Sequence, residues 1–174
     1  MDEILPHLFI SNEESARDIG KLNGCNIKAI ISLTGEIAFP SNYAYLSFDI
    51  KDSVSQDIRE IIPVTTEFIK SHIVNFKNVL VFCGAGASRS GAILIAYIMM
   101  HHKLDYFSAL ALAKLRRPMI QPNSSFEFQL KCLEPYGSYP IIHHNYNKNV
   151  LMNFAVWPNL KVYLSGMETQ VALF

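Results

Sequence analysis

The apolar positions of this chain fall into short runs and stripes that switch between strand-like and helix-like periods. Leu8–Ile10 reads as a short strand. Asn12 to Leu22 reads as a helix, with Asn12 as its cap and Gly24 as its stop. Lys28–Leu33 is apolar and β-branched, as a buried strand would be, and Tyr43–Ile50 alternates like a strand after a loop at Thr34–Asn42. Asp57 and Glu60 predict a capping box opening a helix towards Ile73, which Pro63 should kink or delay. Val79–Phe82 is a wholly apolar strand. Helices follow at Ser88–His102 and Asp105–Arg116, the second with an apolar stripe at Phe107, Leu110, Ala111 and Leu115. Pro118 and Pro122 bracket a turn, and Ser124 with Glu127 predicts a second capping box on a helix ending before Pro135.

Strand and helix signals therefore mix along the chain, which predicts an α/β domain with a central mixed sheet of four or five strands flanked by helices. The chain changes character at Gly137, where charges thin out and Asn, Tyr and Val accumulate. Phe154–Trp157 and Leu160–Leu164 flank Pro158-Asn159, which predicts a β-hairpin. Residues 1–136 are expected to form the one domain. Residues 137–174 are read as an extension packed on it, covering an apolar surface or mediating self-association.

Composition narrows the classes. With 174 residues, half of them hydrophobic and 17% charged, the chain can build a proper core and does not resemble a disordered tail. Fifteen basic residues balance fifteen acidic ones, so the basic excess of a nucleic-acid binder is missing. Cys25, Cys83 and Cys132 are widely spaced with no CxxC pair, which suggests neither a zinc site nor a disulfide framework. The acidic start MDEILPHLFI is unlike a signal peptide, and the longest apolar stretch, Gly91 to Met100, is far short of a membrane span. The expectation is an intracellular protein, cytoplasmic and/or nuclear, with no membrane or nucleic-acid partner.

The chemistry concentrates at Val79–Gly91, VLVFCGAGASRSG. A short apolar strand runs into a loop of small residues, and the loop runs into a helix. Backbone N–H groups and the positive end of a helix dipole would then converge on one point. Small residues at Gly84, Ala85, Gly86 and Ala87 let the backbone curl into a phosphate-binding nest that continues through Ser88. Cys83 sits at its rim, where the same N–H groups would stabilise a thiolate. Arg89 offers a planar fork for two phosphate oxygens, and Ser90 can donate a hydrogen bond to a leaving thiolate. The plainer reading of Cys83 is a buried thiol ending a core strand.

Cys83-Gly84-Ala85-Gly86-Ala87-Ser88-Arg89-Ser90 resembles the CxAGxSRS active-site loop of dual-specificity protein phosphatases. Ile4–Ile10 is similar to that family's opening strand, Ile27–Leu33 to its first core strand, and Pro122–Leu130 to its PNxxFxxQL helix start. The likeness spans roughly residues 3–135. It implies a protein phosphatase acting on phosphotyrosine and phosphoserine/phosphothreonine, with Cys83 as nucleophile, Arg89 as phosphate clamp and no metal or cofactor. It also implies a general acid on a loop about thirty residues before the cysteine. Asp52 stands 31 positions before Cys83, with Asp49 and Asp57 as neighbours that could be taken for it. The family usually has histidine immediately before the nucleophile, thought to order the loop and stabilise the thiolate; this chain has Phe82. That departure keeps a weakly active or inactive phosphate-binding module as the alternative. Relatives acting on inositol lipids or RNA 5′ phosphates carry charge in the loop where this chain has Gly84 and Ala87. The pairs His101-His102 and His143-His144 are read as no metal site, Cys25 and Cys132 as packed core thiols rather than disulfide partners of Cys83, and Met99-Met100 as core.

Overall fold

The computed structural model of the chain describes residues 1–133. The readings that fall on residues 137–174, the hairpin and the packed extension, lie outside them. Among the described residues, strands β1 (Asp2–Leu5), β2 (Leu8–Asn12), β3 (Ile27–Ser32), β4 (Ala44–Ser47) and β5 (Asn78–Cys83) form one sheet in the order β1-β2-β5-β3-β4. The β1–β2 pairing is antiparallel and the other three are parallel. The opening segment is thus a hairpin and not one strand. Pro6 lacks the N–H a ladder needs, and His7 takes a left-handed φ of 68° to close the turn.

Among the described residues six helices accompany the sheet: α1 (Glu13–Ala16), α2 (Ile19–Gly24), α3 (Ile61–Ile73), α4 (Arg89–His102), α5 (Tyr106–Arg116) and α6 (Ser124–Lys131). Parallel strands need cover on both faces, and β5 receives it. On one side Phe82 and Leu80 join Phe9, Ala16, Leu22, Ile27 and Ile30 in an apolar cluster. On the other lies α4, buried at every position from Ser90 to Met99 and ringed by α3, α5 and α6. A helix that apolar all round belongs in the middle of a fold. No helix among the described residues is long and apolar enough to cross a membrane.

Several local expectations are corrected. The helix expected over Asn12–Leu22 is split: Asn12 caps α1 through Ser15 N–H, and Asp18 then caps α2 through Lys21 N–H. The β4 strand is shorter than Tyr43–Ile50. The Asp57/Glu60 capping box does not form, because Arg59 holds the Asp57 carboxylate, and α3 begins at Ile61 with no side-chain cap. Pro63 falls in the first turn of α3, where a missing N–H costs nothing. The second box also fails: Asn123, not Ser124, caps α6, accepting from Ser125 and Phe126 N–H. The stripe on α5 is out of phase. Tyr106, Ala109, Leu112 and Ala113 are buried, while Phe107 and Leu115 are 59% and 47% exposed. Apolar residues surround α5 on every side, so periodicity alone offered more than one phase. The buried face of α5 includes the small Ala109 and Ala113, and the helix packs against α4 and β1. Met99 is buried as expected, and Met100 is partly exposed.

Candidate active site

The parallel strands β2, β3, β4 and β5 all end on the same side of the sheet, and the loops that follow them meet there. Cys83 closes β5 with 1% of its surface exposed, level with Asn12 at the end of β2. Its Sγ accepts a hydrogen bond from Gly86 N–H at 3.3 Å and lies 3.1 Å from Ser90 Oγ.

The loop after Cys83 is held by its carbonyls. Gly84 O accepts from Glu13 N–H, Ala87 O from Gln121 N–H, and Ser88 O from Ala92 N–H inside α4. Ala85 O and Gly86 O both accept from the Arg117 guanidinium, at 3.2 and 2.7 Å. Every carbonyl from 84 to 88 is therefore tied to a group outside the loop. Peptide planes are trans throughout the described residues, so the N–H at the far side of each plane turns inward. The outward carbonyls therefore set the N–H groups of residues 85–89 on the inner side of a cup, and that of Gly86 reaches the Cys83 sulfur. Gly86 is the residue this curl cannot replace: its φ is +69°, and a Cβ there would lie 2.5 Å from Ser11 O and 2.7 Å from Arg117 Nη2.

Arg89 extends across the cup from the first turn of α4. Its Nη1 donates to Leu33 O (3.2 Å) and Ile50 O (2.9 Å), carbonyls from the ends of two other loops. Its Nε is buried with no hydrogen-bond partner. A buried donor on a fixed guanidinium fits an oxyanion bound in the cup.

Asp52 reaches the same loop from the segment after β4. Its Oδ1 accepts from Ser88 Oγ at 2.6 Å and from Asn123 Nδ2 at 2.9 Å. The backbone N–H of Asn123 in turn donates to Ser88 Oγ at 3.1 Å, so the three residues hold one another. Of the other two aspartates, Asp57 is committed to Arg59, and Asp49 lies in a backbone bridge with Thr34. The fold thus brings together Cys83, Ser88, Arg89, Ser90 and Asp52. It adds two residues that sequence reasoning passed over, Arg117 and Asn123.

Of the residues flagged elsewhere, His143-His144 lie outside the described residues, and Cys25 lies apart from this cup. Cys25 stands at the start of β3, where its carbonyl accepts from Asn78 Nδ2, at the opposite end of β5 from Cys83. Cys132 is exposed, which corrects its reading as a core thiol, and Cys25 is only partly buried; all three cysteines are free. No group of three or more metal-ligating side chains occurs among the described residues. Burial holds the His101 and His102 imidazoles below the ordinary histidine pKa, aided at His101 by nearby Lys70 and at His102 by His101 itself. Phe82 turns away from the cup into the apolar cluster, 4% exposed.

Comparison with known proteins returns the same architecture. The family model for the dual specificity phosphatase catalytic domain matches residues 8–135. The chain is 34% identical over 143 residues to a Drosophila melanogaster dual specificity protein phosphatase MPK-4, covering 79% of this chain but 37% of that protein. It is 33% identical to the Danio rerio dual specificity protein phosphatase 22-B, covering 75% and 72% of the two chains. Among solved structures, the human tyrosine phosphatase-like serine/threonine/tyrosine-interacting protein aligns with a TM-score of 0.71 at 36% identity, over 75% of this chain and 93% of that one. The chain spans less than two thirds of the length of several of the curated relatives it matches.

Proposed function

The chain belongs to the dual-specificity phosphatase family, and on that premise we propose that it is a protein phosphatase hydrolysing phosphotyrosine and phosphoserine/phosphothreonine through a phosphocysteine intermediate. The observation that carries this reading is the cup itself: a buried cysteine sulfur that accepts from Gly86 N–H inside a loop whose carbonyls are tied outward, beside an arginine whose buried Nε has no partner. In the first step the Cys83 thiolate attacks phosphorus, the bond to the leaving oxygen breaks, and Asp52 gives that oxygen a proton. The loop N–H groups and Arg89 take the charge on the transferring oxygens. In the second step water attacks the phosphocysteine, Asp52 takes its proton, and the P–S bond breaks with Ser90 O–H donating to the departing thiolate. The contact of Asp52 with Ser88 supports it over Asp49 and Asp57 as the acid.

The substrate class is a phosphorylated protein. Gly84 and Ala87 bring no side-chain charge to the loop, which favours that class over inositol lipids and RNA 5′ phosphates. Residues 1–136 form the catalytic domain in this reading, a span close to the family match, and the free thiols suit an intracellular setting, cytoplasmic and/or nuclear. The test is steady-state hydrolysis of p-nitrophenyl phosphate by the full chain and by Cys83→Ser. Wild-type turnover is expected to fall by more than about 10⁴-fold in the variant, which should still bind tungstate. Equal rates in both proteins, or a wild type that binds tungstate without turning over, would sink the proposal. A panel of phosphopeptides, inositol lipids and triphosphorylated RNA then assigns the substrate.

A further inference from the structure

The cup is shaped from outside, and one side chain holds two of the five loop carbonyls. Arg117 follows α5, and its side chain is only 12% exposed. Nε donates to Gly86 O at 2.7 Å, Nη2 to Ala85 O at 3.2 Å, and Nη1 to Asp2 Oδ2 at 2.5 Å. The guanidinium is thus pinned by a carboxylate on the edge strand β1 and aimed at two successive carbonyls of the loop. Because each peptide is planar, fixing those carbonyls fixes the N–H groups of Gly86 and Ala87 on the cup's inner side. A cation at the carbonyl ends also polarises both peptides in the sense that makes their N–H groups stronger donors. The rest of the loop has single neutral backbone donors at its carbonyls. Arg117 is the charged support.

Resting on the phosphatase reading, we infer that Arg117, clamped by Asp2, is a positioning residue that sets the affinity of the loop for the phosphoryl group. It touches neither substrate nor Cys83. Its effect is on how well the N–H groups are aimed, and so on binding of the anion in both ground and transition states.

The experiment measures the tungstate Kd, KM and kcat for p-nitrophenyl phosphate, and the thermal midpoint, on the full chain as wild type, Arg117→Met, Arg117→Lys and Asp2→Asn. Arg117→Met is expected to weaken tungstate binding about tenfold, comparable to losing a supporting hydrogen bond behind a ligand shell. KM should rise in parallel. Arg117→Lys keeps the charge but not the fork and should fall between the two; Asp2→Asn should weaken binding about two- to threefold. A residue that merely stabilised the fold would lower the midpoint and leave Kd and KM of the folded protein unchanged, and that result overturns the inference. If Arg117→Met fails to fold, Asp2→Asn decides, since its site is partly exposed on an edge strand; an unchanged Kd there overturns it. Wild type that turns over and binds tungstate, beside an Arg117→Met protein of equal Kd, defeats the positioning role alone. Wild type that binds no tungstate defeats the phosphatase reading with it.

Discussion

The two ends of strand β5 carry similar polar groups to opposite effect. At its start, Asn78 Oδ1 lies 2.6 Å from His7 Nδ1, and Asn78 Nδ2 donates to Cys25 O at 2.8 Å. Next to it, Val79 N–H donates to His7 O at 2.8 Å. One amide side chain there joins the β1–β2 turn, the α2–β3 junction and β5, and its hydrogen-bonding capacity goes to the protein itself. At the other end the carbonyls are tied outward, the N–H groups point into a cup, and Arg89 Nε is buried without a partner. An unsatisfied buried donor costs about 1–3 kcal/mol, a burden the Asn78 end does not bear. The sealed end holds the sheet together. The open end keeps polar capacity for a ligand.

Substitutions at each end should break that symmetry in different currencies. After Cys83→Ser, the largest change is expected for Asp52→Asn, which should slow phosphotyrosine hydrolysis about 10²–10⁴-fold. Substrates with acidic leaving groups need little protonation and should lose much less. If Asp49→Asn gave that pattern and Asp52→Asn did not, the acid would be misassigned. Arg89→Lys should lower kcat/KM by about 10²–10³-fold, because a point charge cannot supply both the Nη1 bonds to Leu33 and Ile50 and a fork for the anion. Retention of near wild-type kcat/KM would mean the cup does not depend on the guanidinium. At the sealed end, Asn78→Ala should cost about 1–3 kcal/mol in urea unfolding while kcat/KM stays within about twofold. A turnover loss as large as that of Arg89→Lys would join the two ends and erase the contrast.

The smallest effect concerns pH. Burial depresses the pKa of His102, so the unfolded chain takes up its proton first as pH falls below the ordinary value of 6.5. Stability from this group is therefore full above that value and declines as pH drops towards the depressed one. The thermal midpoint should fall further between about pH 7.5 and 5.5 in wild type than in His102→Gln. Equal differences would remove His102 from the account.

Much of this site could be read directly from the chain because its signals are local. The apolar run of β5, the small loop and Ser88-Arg89-Ser90 are contiguous, and the structure keeps them as one strand–loop–helix unit. Asp52 was reached through a family resemblance, since nothing near it in the chain distinguishes it from Asp49 or Asp57. Arg117 and Asn123 were missed for a physical reason. Their partners lie 30 or more residues away, and a basic residue after a helix ordinarily reads as a solvated end. The capping boxes failed for a related one: the spacing of an acceptor and a glutamate does not reveal a stronger claimant beside it, Arg59 in one case and Asn123 in the other. The sheet was legible as four or five strands, but the hairpin fold-back at His7 was not. In the sequence Phe82 reads as a lost loop-ordering group; in the fold its side chain lies in the apolar cluster.

The dependence of the loop on Arg117 and Asn123 has a consequence during synthesis. A chain emerging at about 5–20 residues per second exposes Cys83 about 2–8 s before those two residues leave the ribosome. Through that interval the thiol is present while the carbonyls of Ala85 and Gly86 and the carboxylate of Asp52 lack these anchors. Asp2, translated first, waits 115 positions for its partner. On the proposed reading, a nascent chain of this kind holds its nucleophile without a working cup, and competence arrives only with the residue that follows α5 and the one that caps α6.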